Sequence, residues 1–209
     1  MNYDSIIFDM DGTLWDAVDS YCEVWDQTFS DIGRGDLRVS REQLIKCMGM
    51  PIYEIYDRIV TDPGIDRDDY LKRLDRNEEL LMPRLGGRLY PGVKETLRGL
   101  AQRCRLFMVS NCGAEGVKNF LKYTGLEPYM TDTLTFGQTH KGKEGNIRLL
   151  TERHGLKHPV YVGDTESDCR SAHKAGVVFV HAAYGFGTAK DADMSIAEIG
   201  QLPEALATF

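Results

Sequence analysis

Short apolar runs recur along the chain, and polar residues follow each of them. Four of these runs lie at residues 5–8, 106–109, 159–162 and 177–180. Each has the length and composition of one strand that is buried on both faces. Segments with apolar residues at helical spacing, such as 117–121, separate several of the runs. This alternation predicts an α/β fold, a Rossmann-like doubly wound parallel sheet with helices on both faces.

Residues from about 14 to 85 break this alternation and are typical of consecutive amphipathic helices. Their helical signals are an apolar stripe at Tyr21, Val24, Trp25, Thr28 and Phe29, a capping box at Ser40 and Gln43, Pro51 in a first helical turn, and a last stripe at Leu71, Leu74 and Leu81. We therefore expect an α-helical insertion at residues 15–85, with residues 1–14 and 86–209 forming the core domain.

Composition and charge narrow the function classes. The chain has 209 residues, 42% of them hydrophobic, which is ordinary for a globular protein. A net charge of −7 argues against a nucleic-acid or acidic-membrane partner. We expect no membrane span and no signal peptide, because no apolar run is long enough and Met1–Asp4 lead directly into the first strand. Five scattered cysteines without a Cys-x-x-Cys pair indicate a reduced, cytoplasmic compartment; oligomeric state is left open.

Two carboxylates, Asp9 and Asp11, directly follow the first predicted strand. Residues two apart on an extended chain point the same way, here at the carboxyl end of the strand, where open α/β sheets bind ligands. Clustered like charges are costly unless a cation or a chemical task holds them there. Gly12 then allows a tight turn that leaves backbone amides free to approach an anion. The simpler interpretation is an acidic turn after a strand.

The segment Asp9-Met10-Asp11-Gly12-Thr13-Leu14 resembles the first motif of the haloacid dehalogenase superfamily, Asp-x-Asp-Gly-Thr-Leu. The resemblance implies that Asp9 is a nucleophile that forms an aspartyl-phosphate, and that Asp11 is the general acid and base. Thr13 would support the site. Members that dehalogenate lack the second Asp, so Asp11 points to a phosphatase or a phosphomutase.

Two further segments resemble later motifs of the same superfamily. Ser110 and Asn111 end the second apolar run and would bind the phosphoryl group. Asp164 and Asp168 match Gly-Asp-x-x-x-Asp, which implies that Asp164 binds Mg²⁺ and that Asp168 supports the site. The Asp9 carboxylate and the Asp11 backbone carbonyl would complete the protein ligands of the ion, which prefers hard oxygens. A second interpretation of Asp164, compatible with the first, is the N-cap of the next helix.

The lysine expected to neutralise the phosphoryl group has two candidates, Lys141 and Lys143. The chain lacks the Lys-Pro-x-Pro pattern that many relatives carry here. Some relatives instead place the lysine four residues before the first apolar position of the following helix. That spacing favours Lys143, with Ile147 and Leu150 on the buried face. For either lysine alone, a solvated surface charge is the simpler interpretation.

Segments outside the catalytic motifs are similar to the phosphoglycolate-phosphatase-like members of subfamily I, which carry an α-helical cap. They are Met48–Pro51, Ala183–Gly187 and Ala192–Asp193. The resemblance implies a magnesium-dependent phosphatase of small metabolites: phosphoglycolate-like compounds, sugar phosphates or nucleotide monophosphates. One alternative is a hexose phosphomutase, although residues 44–50 are largely apolar where such mutases usually carry a basic cap segment. Another is a binding protein that keeps the fold without turnover.

Overall fold

The computed structural model describes residues 3–207. Its strands are Ser5–Phe8 (β1), Trp15–Asp16 (β2), Arg88–Leu89 (β3), Arg105–Ser110 (β4), Asp132–Thr135 (β5), Pro159–Gly163 (β6), Val178–Ala182 (β7) and Met194–Ile196 (β8). Within the described range, six of them form one parallel sheet in the order β5-β4-β1-β6-β7-β8. The remaining two, β2 and β3, form a short antiparallel ladder. The predicted strands are therefore present, and the parallel sheet is confirmed.

Helices cover both faces of this sheet and fill the long interval between β2 and β3. They are Val18–Asp31 (α1), Arg41–Ile45 (α2), Ile52–Ile59 (α3), Arg67–Leu85 (α4), Val93–Leu100 (α5), Gly116–Thr124 (α6), Phe136–Thr139 (α7), Lys143–His154 (α8), Glu166–Lys174 (α9) and Leu202–Ala207 (α10). Between residues 3 and 207, none of the helices is apolar enough over a sufficient length to cross a membrane.

The central strand β1 shows why the sheet is doubly wound. Its side chains alternate between two buried clusters: Ile6 and Phe8 belong to one, and Ile7 to the other. All three side chains are fully buried. Since successive side chains of a strand point to opposite faces, an unbroken apolar run requires helices on both faces. The Rossmann-like α/β class predicted from the sequence is confirmed.

The four helices α1 to α4, here called the helical segment (residues 18–85), pack aromatic side chains that belong to the same buried cluster as Ile6 and Phe8. The Tyr70 ring lies 5.5 Å from that of Trp25 and 5.0 Å from that of Phe29, measured between centroids. The capping box of Ser40 and Gln43 is confirmed at the start of α2. Pro51 is the N-cap of α3, one position before the first turn in which we expected it.

The expected division into residues 1–14 with 86–209 and an insertion at 15–85 stays a prediction. Residues 1–2 and 208–209 lie outside the described range. They are part of the expected core domain, and residues 1–2 also bear on the expectation of no signal peptide. Within the described range, the β2–β3 ladder pairs Trp15 with Leu89 and Asp16 with Arg88, so the two ends of the helical segment emerge side by side next to β1.

Candidate active site

Three neighbouring strands, β4, β1 and β6, bring the predicted polar residues to one edge of the sheet. Ser110 ends β4, Asp9 follows β1, and Asp164 follows β6. The Asp9 amide donates to the Val162 carbonyl at 2.9 Å, which extends the ladder between β1 and β6 to this carboxylate. Because parallel strands end at the same edge, residues far apart in sequence meet here.

Lys143, at the start of α8, joins two buried carboxylates. Its Nζ lies 2.7 Å from Asp9 Oδ1 and 2.5 Å from Asp168 Oδ1, and the whole residue is 4% exposed. Burial by itself would lower the pKa of Lys143, but the carboxylates of Asp168 and Asp9 raise it well above the ordinary value. The amine is therefore a charged ammonium group inside the site. Lys141, the other candidate, is exposed.

Asp9, Asp164 and Asp168 form a buried acidic cluster, with one oxygen from each lying within 4.8 Å of the others. Burial, together with the charges of Asp168 and Asp164, raises the pKa of Asp9 to about 8, against the opposing effect of Lys143. Burial and the Asp168 charge likewise raise the pKa of Asp164 to about 7. Three carboxylates facing one ammonium group leave an excess of negative charge, which a divalent cation would offset.

The surroundings of Asp164 leave one of its oxygens free for such an ion. Oδ2 accepts the Phe186 amide proton at 2.8 Å, whereas buried Oδ1 has no hydrogen-bond partner within residues 3–207. Gly12, at φ +81°, and Gly185 make room for this carboxylate: a Cβ would lie 2.2 Å from Asp164 Oδ2 in Gly12 and 2.3 Å from Asp164 Cβ in Gly185. An unpaired hard oxygen beside two further carboxylates is the donor chemistry that Mg²⁺ prefers.

The interpretation of Asp164 as a helix cap is wrong. The N-cap of α9 is Thr165, whose hydroxyl accepts the Asp168 amide proton at 3.1 Å and donates to Asp168 Oδ2 at 2.6 Å. The capping box thus fixes Asp168 so that its other oxygen, Oδ1, meets Lys143. The chain turns one residue later than a cap at Asp164 would require, and this leaves Asp164 directed into the acidic cluster.

Asp11 has a different environment from Asp9, two residues away. Its Oδ1 accepts a hydrogen bond from Trp15 Nε1 at 3.0 Å, and the Tyr21 side chain lies beside the same carboxyl group. Burial, followed by the Asp9 charge, raises the pKa of Asp11 to about 7, while the hydrogen bond from Trp15 and the neighbouring Tyr21 hydroxyl act in the opposite direction. Sequence reasoning placed Tyr21 on a packing face and assigned no contact to Trp15, since neither position carries a periodic or motif signal toward Asp11.

The remaining predicted residues also lie at this edge. Ser110 is 2% exposed, and its Oγ accepts the Cys112 amide proton at 3.2 Å. Asn111 Nδ2 donates to the Gly49 carbonyl of the helical segment at 3.0 Å. The Thr13 hydroxyl is buried and has no hydrogen-bond partner in the described part of the chain. The structure therefore brings every predicted site residue to one region, with Thr13 behind it.

A cavity of about 510 Å³ lies between this edge and the helical segment. From the sheet side, Asp9, Asp11, Ser110, Asn111 and Lys143 line it. From the helical segment, the lining is apolar at Trp25, Leu44, Met48, Met50, Ile52, Ile55, Leu71, Leu74 and Met82, and charged at Asp68, Lys72, Asp75, Glu78 and Glu79. The volume suits a small organic molecule.

Sequence reasoning assigned none of the four carboxylates that the helical segment contributes to this lining, and Glu78 is the one among them with a strongly raised pKa. Burial, followed by the charges of Asp75 and Asp11, raises its pKa to about 8. Glu78 Oε2 would lie 3.9 Å from a Cβ on Gly113, in the loop that follows β4. Helix α4 is rich in charged residues, so its sequence does not separate Glu78 from exposed glutamates. Only the packing of α4 over the sheet edge shows that Glu78 faces the cavity.

Comparison with known proteins agrees with this geometry. The sequence profile described as Haloacid dehalogenase-like hydrolase matches residues 6–182. The phosphoglycolate phosphatase of Aliivibrio fischeri is 29% identical over 194 residues, which cover 87% of this chain and 84% of that protein. The phosphoglycolate phosphatase of Photobacterium profundum is 29% identical over 216 residues, covering 94% and 93%.

Solved structures share the fold. A predicted phosphoglycolate phosphatase from Haemophilus somnus superposes with a TM-score of 0.84 at 24% identity, covering 98% of each chain. CbbY from Rhodobacter sphaeroides, solved in complex with phosphate, has a TM-score of 0.82 at 18% identity and covers 96% of each chain. At these identities the likeness concerns the arrangement of the chain.

Proposed function

The chain belongs to the haloacid dehalogenase-like hydrolase family, and on that premise we propose that it is a magnesium-dependent phosphatase that works through an aspartyl-phosphate. Hydrolysis of phosphoric monoesters follows from the family and from the phosphatase relatives. The residue roles, the metal and the covalent intermediate are the proposed part. The observation that carries them is the contact of Asp9 with buried Lys143 at 2.7 Å, beside Asp164 and at the floor of a cavity.

In the first step, a carboxylate oxygen of Asp9 attacks phosphorus and the bond from phosphorus to the ester oxygen breaks. The electron pair stays on the departing oxygen, which takes a proton from the Asp11 carboxyl group. We infer that the Lys143 ammonium group, the Ser110 hydroxyl and the Asn111 side-chain amide hold the charge on the phosphoryl oxygens. Lys143 also orients Asp9, because it contacts Asp9 and Asp168 at once.

In the second step, Asp11, now a carboxylate, removes a proton from a water molecule whose oxygen attacks the same phosphorus. The bond to Asp9 breaks, inorganic phosphate forms, and Asp9 becomes a carboxylate again. Asp11 regains its proton and the cycle closes. The separate environments of the two carboxylates support this division: Asp9 pairs with an ammonium group, whereas Asp11 accepts a hydrogen bond from the neutral indole of Trp15.

Magnesium fits the acidic cluster. Asp9 and Asp164 would hold it through their carboxylates and Asp11 through its backbone carbonyl, while Asp168 stays engaged with Lys143 and Thr165. When bound, the ion supplies charge neutralisation at the phosphoryl group and keeps the carboxylates ionised despite their raised pKa values. The unpaired Oδ1 of Asp164 supports this assignment.

We assign residues 15–85 as a cap that covers the site and excludes bulk water during turnover. The substrate is then a small phosphorylated metabolite, phosphoglycolate-like, a sugar phosphate or a nucleotide monophosphate, which the enzyme meets in the cytoplasm. The hexose phosphomutase alternative is not favoured, because the relatives are named as phosphatases and Leu44, Met48 and Met50 present apolar side chains to the cavity.

Trapping the intermediate tests the covalent mechanism. Acetyl phosphate needs little protonation of its leaving group, so Asp11→Asn should still be phosphorylated, and it should then lose the phosphoryl group slowly for lack of a base. Intact-mass measurement should show the added phosphoryl group in Asp11→Asn and none in Asp9→Asn. Phosphorylation that persists in Asp9→Asn would identify another nucleophile and overturn the mechanism.

Metal removal tests the cofactor. Chelation with EDTA should abolish hydrolysis of phosphomonoesters, and added Mg²⁺ should restore it. Asp164→Ala should raise the Mg²⁺ concentration needed for half-maximal activity, with the circular dichroism spectrum unchanged. Full activity in EDTA would end the metal assignment.

A further inference from the structure

Two side chains to which the family motifs give no role adjoin the carboxyl group of Asp11. Trp15 Nε1 donates to Asp11 Oδ1 at 3.0 Å. The Tyr21 side chain, on α1, lies beside the same carboxyl group. Both side chains also line the cavity, so they lie on the substrate side of the sheet edge.

Trp15 is fixed where it stands. It is 2% exposed, and its ring packs edge-on against Phe120 with centroids 4.9 Å apart. The backbone amide of Trp15 donates to the Met10 carbonyl at 3.3 Å, and the Trp15 carbonyl accepts the Gly12 amide proton at 2.9 Å. Gly87 makes room for the indole, since a Cβ there would lie 2.6 Å from Trp15 Cε3. The indole and the loop that carries Asp11 therefore form one rigid unit.

The chemistry of the two donors restricts where a proton on Asp11 can reside. An indole N–H only donates, so the lone pair of Oδ1 that faces Trp15 cannot carry a proton. A phenol both donates and accepts, so Tyr21 can hold the carboxyl group in either protonation state. The remaining lone pairs of Asp11 are those available to the cavity, where the ester oxygen of a substrate would lie.

We propose that Trp15 and Tyr21 are positioning residues that orient the Asp11 carboxyl group so that it delivers its proton to the leaving-group oxygen. This inference rests on the proposed function, in which Asp11 protonates that oxygen. It predicts a defect that depends on the leaving group. An alkyl phosphate needs the proton when its ester bond breaks, whereas acetyl phosphate releases a stable carboxylate and needs little protonation.

The test compares Trp15→Phe and Tyr21→Phe with the wild-type protein on two probes, phosphoglycolate as the alkyl phosphate and acetyl phosphate. The measured parameter is kcat/KM, because it reports the steps up to transfer of the phosphoryl group to Asp9. The parameter kcat also includes hydrolysis of the intermediate, a step that uses Asp11 with both probes. We expect each variant to lose about ten- to a hundredfold on phosphoglycolate, the loss that follows from one hydrogen bond to a charged group. On acetyl phosphate the loss should stay within about threefold.

Tyr70→Phe is the matched control, since Tyr70 is fully buried, its hydroxyl donates to the Trp25 carbonyl at 3.3 Å, and it is not among the residues that line the cavity. Its ratio of kcat/KM between the two probes should equal that of the wild type. The positioning role is overturned if Tyr21→Phe and folded Trp15→Phe lose kcat/KM equally on both probes, or lose none on either. Tyr21→Phe removes only a hydroxyl, so it keeps the test available if Trp15→Phe does not fold. If the wild type turns over both probes, the proposed function stands whatever the variants do. If it turns over neither probe, nor any sugar phosphate or nucleotide monophosphate, that function fails and this inference with it.

Discussion

Replacing Lys143 by Met tests the electrostatic account of the site most directly. The substitution keeps an unbranched apolar stem and removes the ammonium group that lies 2.7 Å from Asp9 and 2.5 Å from Asp168. The carboxylates of Asp9, Asp164 and Asp168 would then lie within 4.8 Å of one another without a cation. Without metal, Lys143→Met should therefore destabilise the folded protein wherever these groups are ionised.

The size of the effect follows from burial. Removing one partner of a buried ion pair typically costs about 3–5 kcal/mol of unfolding free energy. For a chain of about 200 residues each kcal/mol shifts the midpoint of thermal unfolding by about 2–4 °C. We therefore expect the midpoint to fall by roughly 6–20 °C at pH 8 in EDTA.

The pH dependence has a definite sign. The pKa values of Asp9 and Asp164 are raised to about 8 and about 7, so at pH 5 both groups are protonated in the folded protein and need no ammonium partner. The difference in stability between wild type and Lys143→Met should accordingly shrink from pH 8 to pH 5. Differential scanning calorimetry at the two pH values measures it.

Activity gives a second readout with a matched control. With saturating Mg²⁺, Lys143→Met should lose on the order of a hundredfold or more in kcat, because a charge-assisted contact in a buried site is removed. Lys141→Met removes an exposed ammonium group two residues away and should leave both activity and stability near wild type. A crippled Lys141→Met with a mild Lys143→Met would reverse the assignment. A destabilisation of Lys143→Met that is equal at pH 5 and pH 8 would refute the electrostatic reasoning.

Two further predictions concern the same carboxylates and the opposite wall of the cavity. In the absence of metal, the raised pKa values of Asp9 and Asp164 favour the folded state at low pH, a contribution lost as the pH rises through about 7 to 8. Mg²⁺ should therefore raise the thermal midpoint more at pH 8 than at pH 5, where it must displace protons; an equal rise in a fluorimetric melt would contradict this. At pH 9 the ionised Glu78 carboxylate should repel the anionic leaving group of phosphoglycolate. Glu78→Gln should therefore raise kcat/KM for phosphoglycolate about two- to thirtyfold relative to kcat/KM for an alkyl phosphate with an uncharged leaving group. Little change is expected at pH 6, because Glu78, with a pKa of about 8, is then protonated; the same change at both pH values would argue against charge repulsion.

The sequence alone determined the fold class and the strand-end positions of the site. Apolar runs bounded by polar residues mark buried parallel strands, since each side chain of such a strand needs apolar contacts. The polar residue after each run then lies at the carboxyl end, which is why Asp9, Ser110 and Asp164 could be assigned to one edge before their contacts were known. The motifs also indicated the expected chemistry, because each motif consists of residues that are close together in the sequence.

Tertiary structure decided what depends on how distant elements pack. Lys141 and Lys143 are nearly equivalent in sequence, and the start of α8 buries only Lys143 against Asp9 and Asp168. Trp15 and Glu78 reach the site because the β2–β3 ladder and α4 lie over the sheet edge. Side-chain periodicity specifies which face of an element is buried, but not which partner covers it. That choice is made by contacts between residues remote in the chain, and it placed donors and carboxylates around Asp11 that no local pattern could reveal.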